Sequence, residues 1–216
     1  MNKLVADDLG LLAYGRIKKM ILENRLVPGK KIVQEKLAAE LGISRTPLRT
    51  ALQMLEAEYL VKSIPRRGMV VREFSNREIA EVYDCRIALE CTAVRLFTKL
   101  GSKKHIAELQ QFFRPFEGKT AEDIDTKAYQ KADSQFHDAL IKHCGNGFLT
   151  QLFNKGNLLI WINRIGLIRP PEETLPEHLA IIDAIERADV EAAESLAKIH
   201  LDKSKRLILK LIANEE

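Results

Sequence analysis

The sequence predicts a mainly α protein in two parts, an N-terminal winged helix-turn-helix and a C-terminal all-helical bundle of about six helices. Three observations carry this expectation. The run Leu37-Ala38-Ala39-Glu40-Leu41-Gly42-Ile43-Ser44-Arg45-Thr46-Pro47-Leu48-Arg49 reads as a short helix, a tight turn and a second helix. Two short strand-like runs with a basic tip follow it. From Ser75 onward almost only helical periodicity is present.

Apolar positions at Leu12, Ile17, Met20 and Ile21 give an amphipathic first helix over about 9–24, and Pro28-Gly29 then turns the chain. Gly42 can supply the positive φ that ends the next helix. Ser44 suits the N-cap of the one after, and Pro47 falls in its first turn, where a missing N–H is tolerated. Ala51, Leu52 and Leu55 continue that helix toward a core. Arg45, Thr46 and Arg49 lie at the end that enters a DNA groove in this motif, with Arg45 and Arg49 suited to base edges and Ser44 and Thr46 to the backbone. The runs 60–64 and 68–72 read as strands. Pro65-Arg66-Arg67-Gly68 between them is the wing tip, whose cations can reach the backbone or the minor groove.

A boundary at Glu73-Phe74 divides the chain into residues 1–73 and 74–216. Ser75-Asn76-Arg77-Glu78 fits a capping box, and Asp189 is a fitting N-cap for the last helix. Helices are expected at about 76–100, 103–115, 122–144, 147–166, 173–187 and 189–212, punctuated by Gly101, Gly118, Gly145-Asn146-Gly147 and Pro170-Pro171.

Charge follows the same division. The formal net charge is +4, but residues 1–73 hold 14 Lys and Arg against 8 Asp and Glu, for +6, and the remainder holds 20 against 22, for −2. The positive excess therefore sits where the motif would meet phosphates. No apolar run approaches the roughly 20 residues that cross a bilayer, and no signal peptide is apparent, so a cytoplasmic, membrane-free protein is expected. Cys85, Cys91 and Cys144 form no CxxC pair and read as free thiols in a reducing compartment.

Asp133 and His137 stand four apart on one expected helix and so share a face. His178 and His200 fall in the last two helices, each in apolar company. Converging inside a bundle, these four suit a divalent transition metal; otherwise the imidazoles are ordinary core histidines. Arg86 can clamp a ligand carboxylate in bidentate fashion, or pair with Glu90 one turn on. Asn146 and Arg164 are further effector-binding candidates of the same kind, and Trp161 reads as packing. An Asp and three His could also hold a reactive water, but neither an independent nucleophile, a phosphate loop nor paired catalytic carboxylates accompany them.

Taken together, these residues resemble the GntR family of bacterial transcription regulators, in its FadR-like branch with an FCD effector domain. The N-terminal match includes Pro28-Gly29, the run from Leu41 to Arg49, Leu55-Glu56-Ala57-Glu58 and Arg66-Arg67-Gly68. The C-terminal match includes Arg86-Ile87-Ala88-Leu89-Glu90, Asp133-Ser134-Gln135-Phe136-His137, Gly145-Asn146, His178 and His200. The resemblance implies a homodimer that binds a pseudo-palindromic double-stranded DNA operator, most simply as a repressor. It implies a metal of the Zn, Ni or Mn type held by Asp133, His137, His178 and His200, and a small carboxylate effector assisted by Arg86. Where some relatives carry an arginine near the start of the first motif helix, this chain has Gln34-Glu35-Lys36, so Lys36 is the cation available there. Two alternatives remain at this stage: a regulator that senses the metal ion directly, and a metal-dependent enzyme.

Overall fold

The structure, a computed structural model, describes residues 2–159, 162 and 166–214, with their side chains from Leu9 onward. The chain forms two compact units, Met1–Glu73 and Phe74–Glu216.

In the first unit, α1 (Asn2–Leu22) packs on α3 (Arg45–Ala57), with α2 (Gln34–Leu41) beside it. Ile17, Met20 and Ile21 of α1 and Leu48, Ala51, Leu52 and Leu55 of α3 are buried, together with Leu60, Val61, Val70 and Val71. Burying each such side chain contributes about 1.5–3 kcal/mol, so this cluster holds the unit together. At its edge the Tyr14 hydroxyl donates to Glu58 Oε1 at 2.7 Å, and Lys18 Nζ to Glu58 Oε2 at 2.8 Å.

The turn chemistry read from the sequence is realised at Gly42, which ends α2 with φ +67°. Ser44 occupies the N-cap of α3 with extended backbone, yet its hydroxyl makes no capping bond. Pro47 removes one of the two N–H groups that such a hydroxyl takes, while that of Thr46 remains. Strands β1 (Val61–Ile64) and β2 (Gly68–Val71) pair antiparallel, from Val61 opposite Val71 to Ile64 opposite Gly68. Lys31 bridges Val70 on the other side of β2, so the wing is anchored along both edges.

The second unit contains α4 (Asn76–Leu100), α5 (Lys103–Phe113), α6 (Thr126–His143), α7 (Gly147–Lys155), α8 (Pro171–Glu186) and α9 (Val190–Ala213). The capping box of α4 forms as expected: Glu78 N donates to Ser75 Oγ and Ser75 N to Glu78 Oε2. Asp189 caps α9 through Ala192 N. The long helices α4 and α9 lie against each other. One core cluster gathers Phe113, Tyr129, Phe136, Leu140, Ile181 and Ile185; another gathers Ile79, Tyr83, Ile141, Phe153, Leu201 and Ile208.

Several boundaries differ from expectation. Helix α1 starts at Asn2 rather than about residue 9, and its Leu12, expected on the apolar face, is exposed. Helix α6 starts at Thr126 rather than 122, because Asp125 accepts bonds from Lys127 N and Ala128 N and so fixes the start there. Helix α7 ends at Lys155, and Gly156 follows, so the helix expected through residue 166 is not one continuous element. Helix α8 begins at Pro171, two residues early, a proline being at home in a first turn.

All three cysteines are free; Cys85 is exposed, and Cys91 and Cys144 are buried. Burial, with the negative charges of Glu90 and Glu194 adding to it, pushes the Cys91 thiol up to about 12. A thiol reagent near neutral pH is therefore expected to modify one cysteine per native chain, Cys85, and the other two only after denaturation. Rapid loss of a second thiol in native protein, followed by mass spectrometry, would contradict this burial.

Candidate functional site

Helices α6, α8 and α9 bring Asp133, His137, His178 and His200 together. One ligand atom from each lies within 4.8 Å of all the others. His178 Nε2 is 3.3 Å, and His137 Nε2 3.9 Å, from Asp133 Oδ1. The three imidazoles are buried, with His178 at 0 % exposure. Phe113 stacks on the His178 ring at 4.5 Å and closes its apolar side.

Each ring turns its Nδ1 toward a different outer partner, with hydrogen-bond geometry at His178 and His200 and a close contact without it at His137. His137 Nδ1 meets Glu90 Oε2 at 2.5 Å, His178 Nδ1 meets the Tyr129 hydroxyl at 3.1 Å, and His200 Nδ1 meets Glu177 Oε2 at 2.8 Å. The Tyr129 hydroxyl is itself 2.8 Å from Thr174 Oγ1. With Nδ1 so turned, Nε2 of each ring is left for the interior, the arrangement that fixes tautomer and orientation in imidazole metal sites.

Burial favours the neutral form that a cation needs at two of the donors, His178 and His200. Burial, reinforced by the positive neighbours His200, His137, Arg86 and Arg169, pushes His178 well below the usual imidazole range, so it stays neutral. Burial likewise lowers His200, against the raising effect of its bond to Glu177. Burial alone would raise Glu177, but hydrogen bonds from His200, Arg169 and Lys203 hold it far below the usual carboxylate range. Glu90, where burial is opposed by Arg86 and His137, is brought down to about 2.

The buried His178 Nε2 has no hydrogen-bond partner among the described residues. A buried polar atom left unsatisfied is costly, and a divalent ion bound about 2.0–2.1 Å from imidazole nitrogens would satisfy it. Three imidazoles and one carboxylate, with no thiolate, match the donor preferences of Zn, Ni or Mn type ions. The residues therefore fit such a metal.

Asp133, His137 and His200 open onto a cavity of about 30 Å³, also lined by Tyr83, Arg86, Gln130 and Arg169. That volume admits one or two waters. Arg86 forms the pair with Glu90 that its spacing allows, Nε donating to Glu90 Oε1 at 2.5 Å, while its buried Nη2 has no hydrogen-bond partner among the described residues. Asn146 is elsewhere. It is exposed, its Oδ1 caps α7 through Leu149 N, and it does not line the cavity, so its polar group is already committed. Arg164 and Trp161 lie outside the described residues.

Sequence reasoning missed Tyr129, Glu177 and Arg169. Arg169 donates through both Nη atoms to Glu177 at 2.7 Å and through Nε to Glu173 at 2.9 Å. A signal existed for Tyr129, four residues before Asp133 on the same helix face. None existed for Glu177, whose partners come from other segments.

In the first unit, Lys36, Ser44, Arg45, Thr46 and Arg49 are exposed at α2 and at the start of α3. Arg45 Nη2 meets Glu35 Oε1 at 2.8 Å, but both side chains are more than three-quarters exposed, so the pair is weak and open to exchange for a phosphate. At the wing tip Arg66 (φ +62°) and Gly68 (φ +84°) form the turn. Arg67 is turned inward: its Nη2 donates to Gly29 O at 3.1 Å, tying the tip to the Pro28-Gly29 turn.

A winged helix with a cationic, solvent-facing second motif helix, followed by a helical unit holding a polar cavity, defines a DNA-binding transcriptional regulator. Residues 11–71 match the gntR family of bacterial regulatory proteins, and residues 81–203 match the FCD domain. The chain belongs to the GntR family, with an FCD domain as its second unit. It is 28% identical over 193 residues, 88% of this chain and 86% of the relative, to the HTH-type transcriptional regulator YdhC of Bacillus subtilis (strain 168). It is 26% identical over 144 residues, 66% of this chain and 58% of the relative, to the gluconate operon transcriptional repressor of the same organism. Among solved structures, a GntR transcriptional regulator from Rhodococcus sp. RHA1 superposes with TM-score 0.75 at 25% identity, covering 93% of this chain and 97% of that one. These relatives are regulators, and the enzyme alternative falls with them. No described helix is long and apolar enough to cross a membrane.

The Arg86–Glu90 pair gives a direct test of this geometry. Glu90→Leu strands a buried guanidinium, and its cost is expected at about 3–5 kcal/mol in urea unfolding. A loss below about 1 kcal/mol would mean that Arg86 finds water instead.

Proposed function

We propose that this chain is a homodimeric, cytoplasmic repressor that binds a pseudo-palindromic double-stranded DNA operator and releases it when a small organic acid enters the metal-bearing cavity of its helical unit. Asp133, His137, His178 and His200 hold the metal, and when bound it supplies a Lewis-acidic centre for a carboxylate oxygen. The observation that carries this reading is that two buried groups, His178 Nε2 and Arg86 Nη2, have no hydrogen-bond partner among the described residues. A cation answers the first and an anion the second. Arg86 contributes a fixed guanidinium, oriented by Glu90, that can bond a carboxylate laterally.

Arg86 sits on α4, whose first turn follows directly on Glu73-Phe74-Ser75. A ligand that draws on Arg86 therefore bears on the helix covalently continuous with the DNA-binding unit. Coupling of about 1–3 kcal/mol between the sites suffices for a several-fold to hundred-fold change in operator occupancy. On the DNA, Arg45 and Arg49 reach base edges or nearby phosphates, Ser44, Thr46 and Lys36 position the backbone, and Arg66, Arg67 and Gly68 add wing contacts. The Ser44 hydroxyl, unused as a cap, is free for that role.

One observation favours the second reading, a direct metal-ion sensor: the cavity of about 30 Å³ has room for an ion and water but not for a multi-carbon acid unless its wall moves. Operator affinity measured at fixed salt separates the two. An acid sensor keeps its metal and loses operator affinity when small carboxylates are titrated; a metal sensor responds to the ion alone. Response to neither overturns both. Arg45→Ala is expected to cost about 1–3 kcal/mol in operator binding, and unchanged affinity would remove Arg45 from the interface.

A further inference from the structure

Arg169 forms part of the wall of two separate concavities. One is the cavity described above. The other is an open groove of about 340 Å³ between the start of α8 and the last turns of α9, lined by Arg169, Glu173, Lys203, Arg206, Leu207 and Lys210. Lys203, Arg206 and Lys210 follow one another at intervals of three and four, so they stand on one face of α9. The groove thus gathers four cations around one carboxylate.

An ordinary solvated helix face interleaves its signs, and α9 does so elsewhere: Lys205 pairs with Asp84, and Glu194 with Arg95. In the groove, Arg169 and Lys203 share Glu177, while Arg206 and Lys210 make no ion pair among the described residues. Leu207 supplies an apolar floor between them, 38% exposed. Unpaired cations facing an open groove raise the local concentration of anions.

We propose that this groove is a second ligand site, taking a small polyanion of the phosphorylated or multiply carboxylated class, and that its occupancy is relayed to the imidazole cluster through Glu177. The relay has an evident physical path. Glu177 Oε1 accepts from Lys203 Nζ at 2.7 Å and from Arg169 Nη2 at 2.7 Å, while Oε2 accepts from Arg169 Nη1 at 2.7 Å and His200 Nδ1 at 2.8 Å. An anion in the groove competes for Arg169 and Lys203, leaving the Glu177 carboxylate to His200. The site itself stands on the groove alone; the relay rests on the reading of the cluster as a metal centre.

Inorganic sulfate is a suitable probe, being a compact dianion that binds transition metals weakly. In calorimetric titration of the full chain, with chloride adjusted to hold ionic strength, sulfate is expected to bind saturably at one site per chain. The exposed double substitution Arg206→Gln with Lys210→Gln, checked for folding by circular dichroism, should weaken binding by about tenfold or more. Arg45→Gln with Arg49→Gln should leave it unchanged. Absence of saturable binding, equal binding by the groove variant, or loss only in the motif-helix variant would each overturn the site.

For the relay, the affinity for Ni²⁺ alone should change about fivefold or more when sulfate is present, and the groove variant should lose that dependence. Sulfate binding with no change in Ni²⁺ affinity would overturn the relay. If Ni²⁺ does not bind at all, the metal reading fails, and the sulfate isotherms still decide the groove.

Discussion

The helical unit is organised around three buried imidazoles whose Nδ1 atoms each face an outer partner. Glu90, Tyr129 and Glu177 hold them from outside, so each ring has one nitrogen left and a single direction in which to present it. His178 is fully enclosed, and Phe113 and Phe136 both pack on its ring. Burying such a group without a partner is expensive, and an apolar residue of similar shape would pack there at less cost. The sequence keeps the polar group and surrounds it with others that orient it. That pattern is expected where a cation completes the site.

Two charged side chains carry the consequences of this centre outward. Arg86 and Glu90 form a buried pair one turn apart on α4, and Glu90 also steers His137. These contacts join the donors to the helix that begins just after the DNA-binding unit. Glu177 does the same on the opposite side, joining His200 to Arg169 and Lys203 near the surface. The centre is consequently connected to α4 by one carboxylate and to the α8–α9 surface by another.

Much of the architecture was legible in the residues because it depends on local chemistry. Gly42, the Ser75–Glu78 capping box and Asp189 each act within a few residues of themselves, and each stands where periodicity placed it. Asp133 and His137 share a face by spacing alone. The meeting of that face with His178 and His200 depends on how α6, α8 and α9 pack, and only the resemblance to FCD domains pointed to it. The Nδ1 partners were invisible for the same reason: Glu177 is adjacent to His178 in sequence yet serves His200 on another helix. One local signal was misweighed. Asn146 stood between glycines just before a helix, the setting of an N-cap, and that is the work it does. Ser44 stands at the N-cap of α3 as its position suggests, but its hydroxyl makes no capping bond.

The central claim is that the imidazole cluster is completed by a bound divalent ion. The most direct test is elemental analysis of the full chain combined with thermal unfolding, with and without a chelator. The account predicts one transition metal per chain and a chelator-dependent drop in Tm that disappears in His178→Ala. The stabilisation should amount to about 2.7 kcal/mol when the ion is at a hundred times its Kd. Metal-free protein whose unfolding is indifferent to both chelator and added ion would contradict it, and would leave the three buried imidazoles as core residues held only by Glu90, Tyr129 and Glu177.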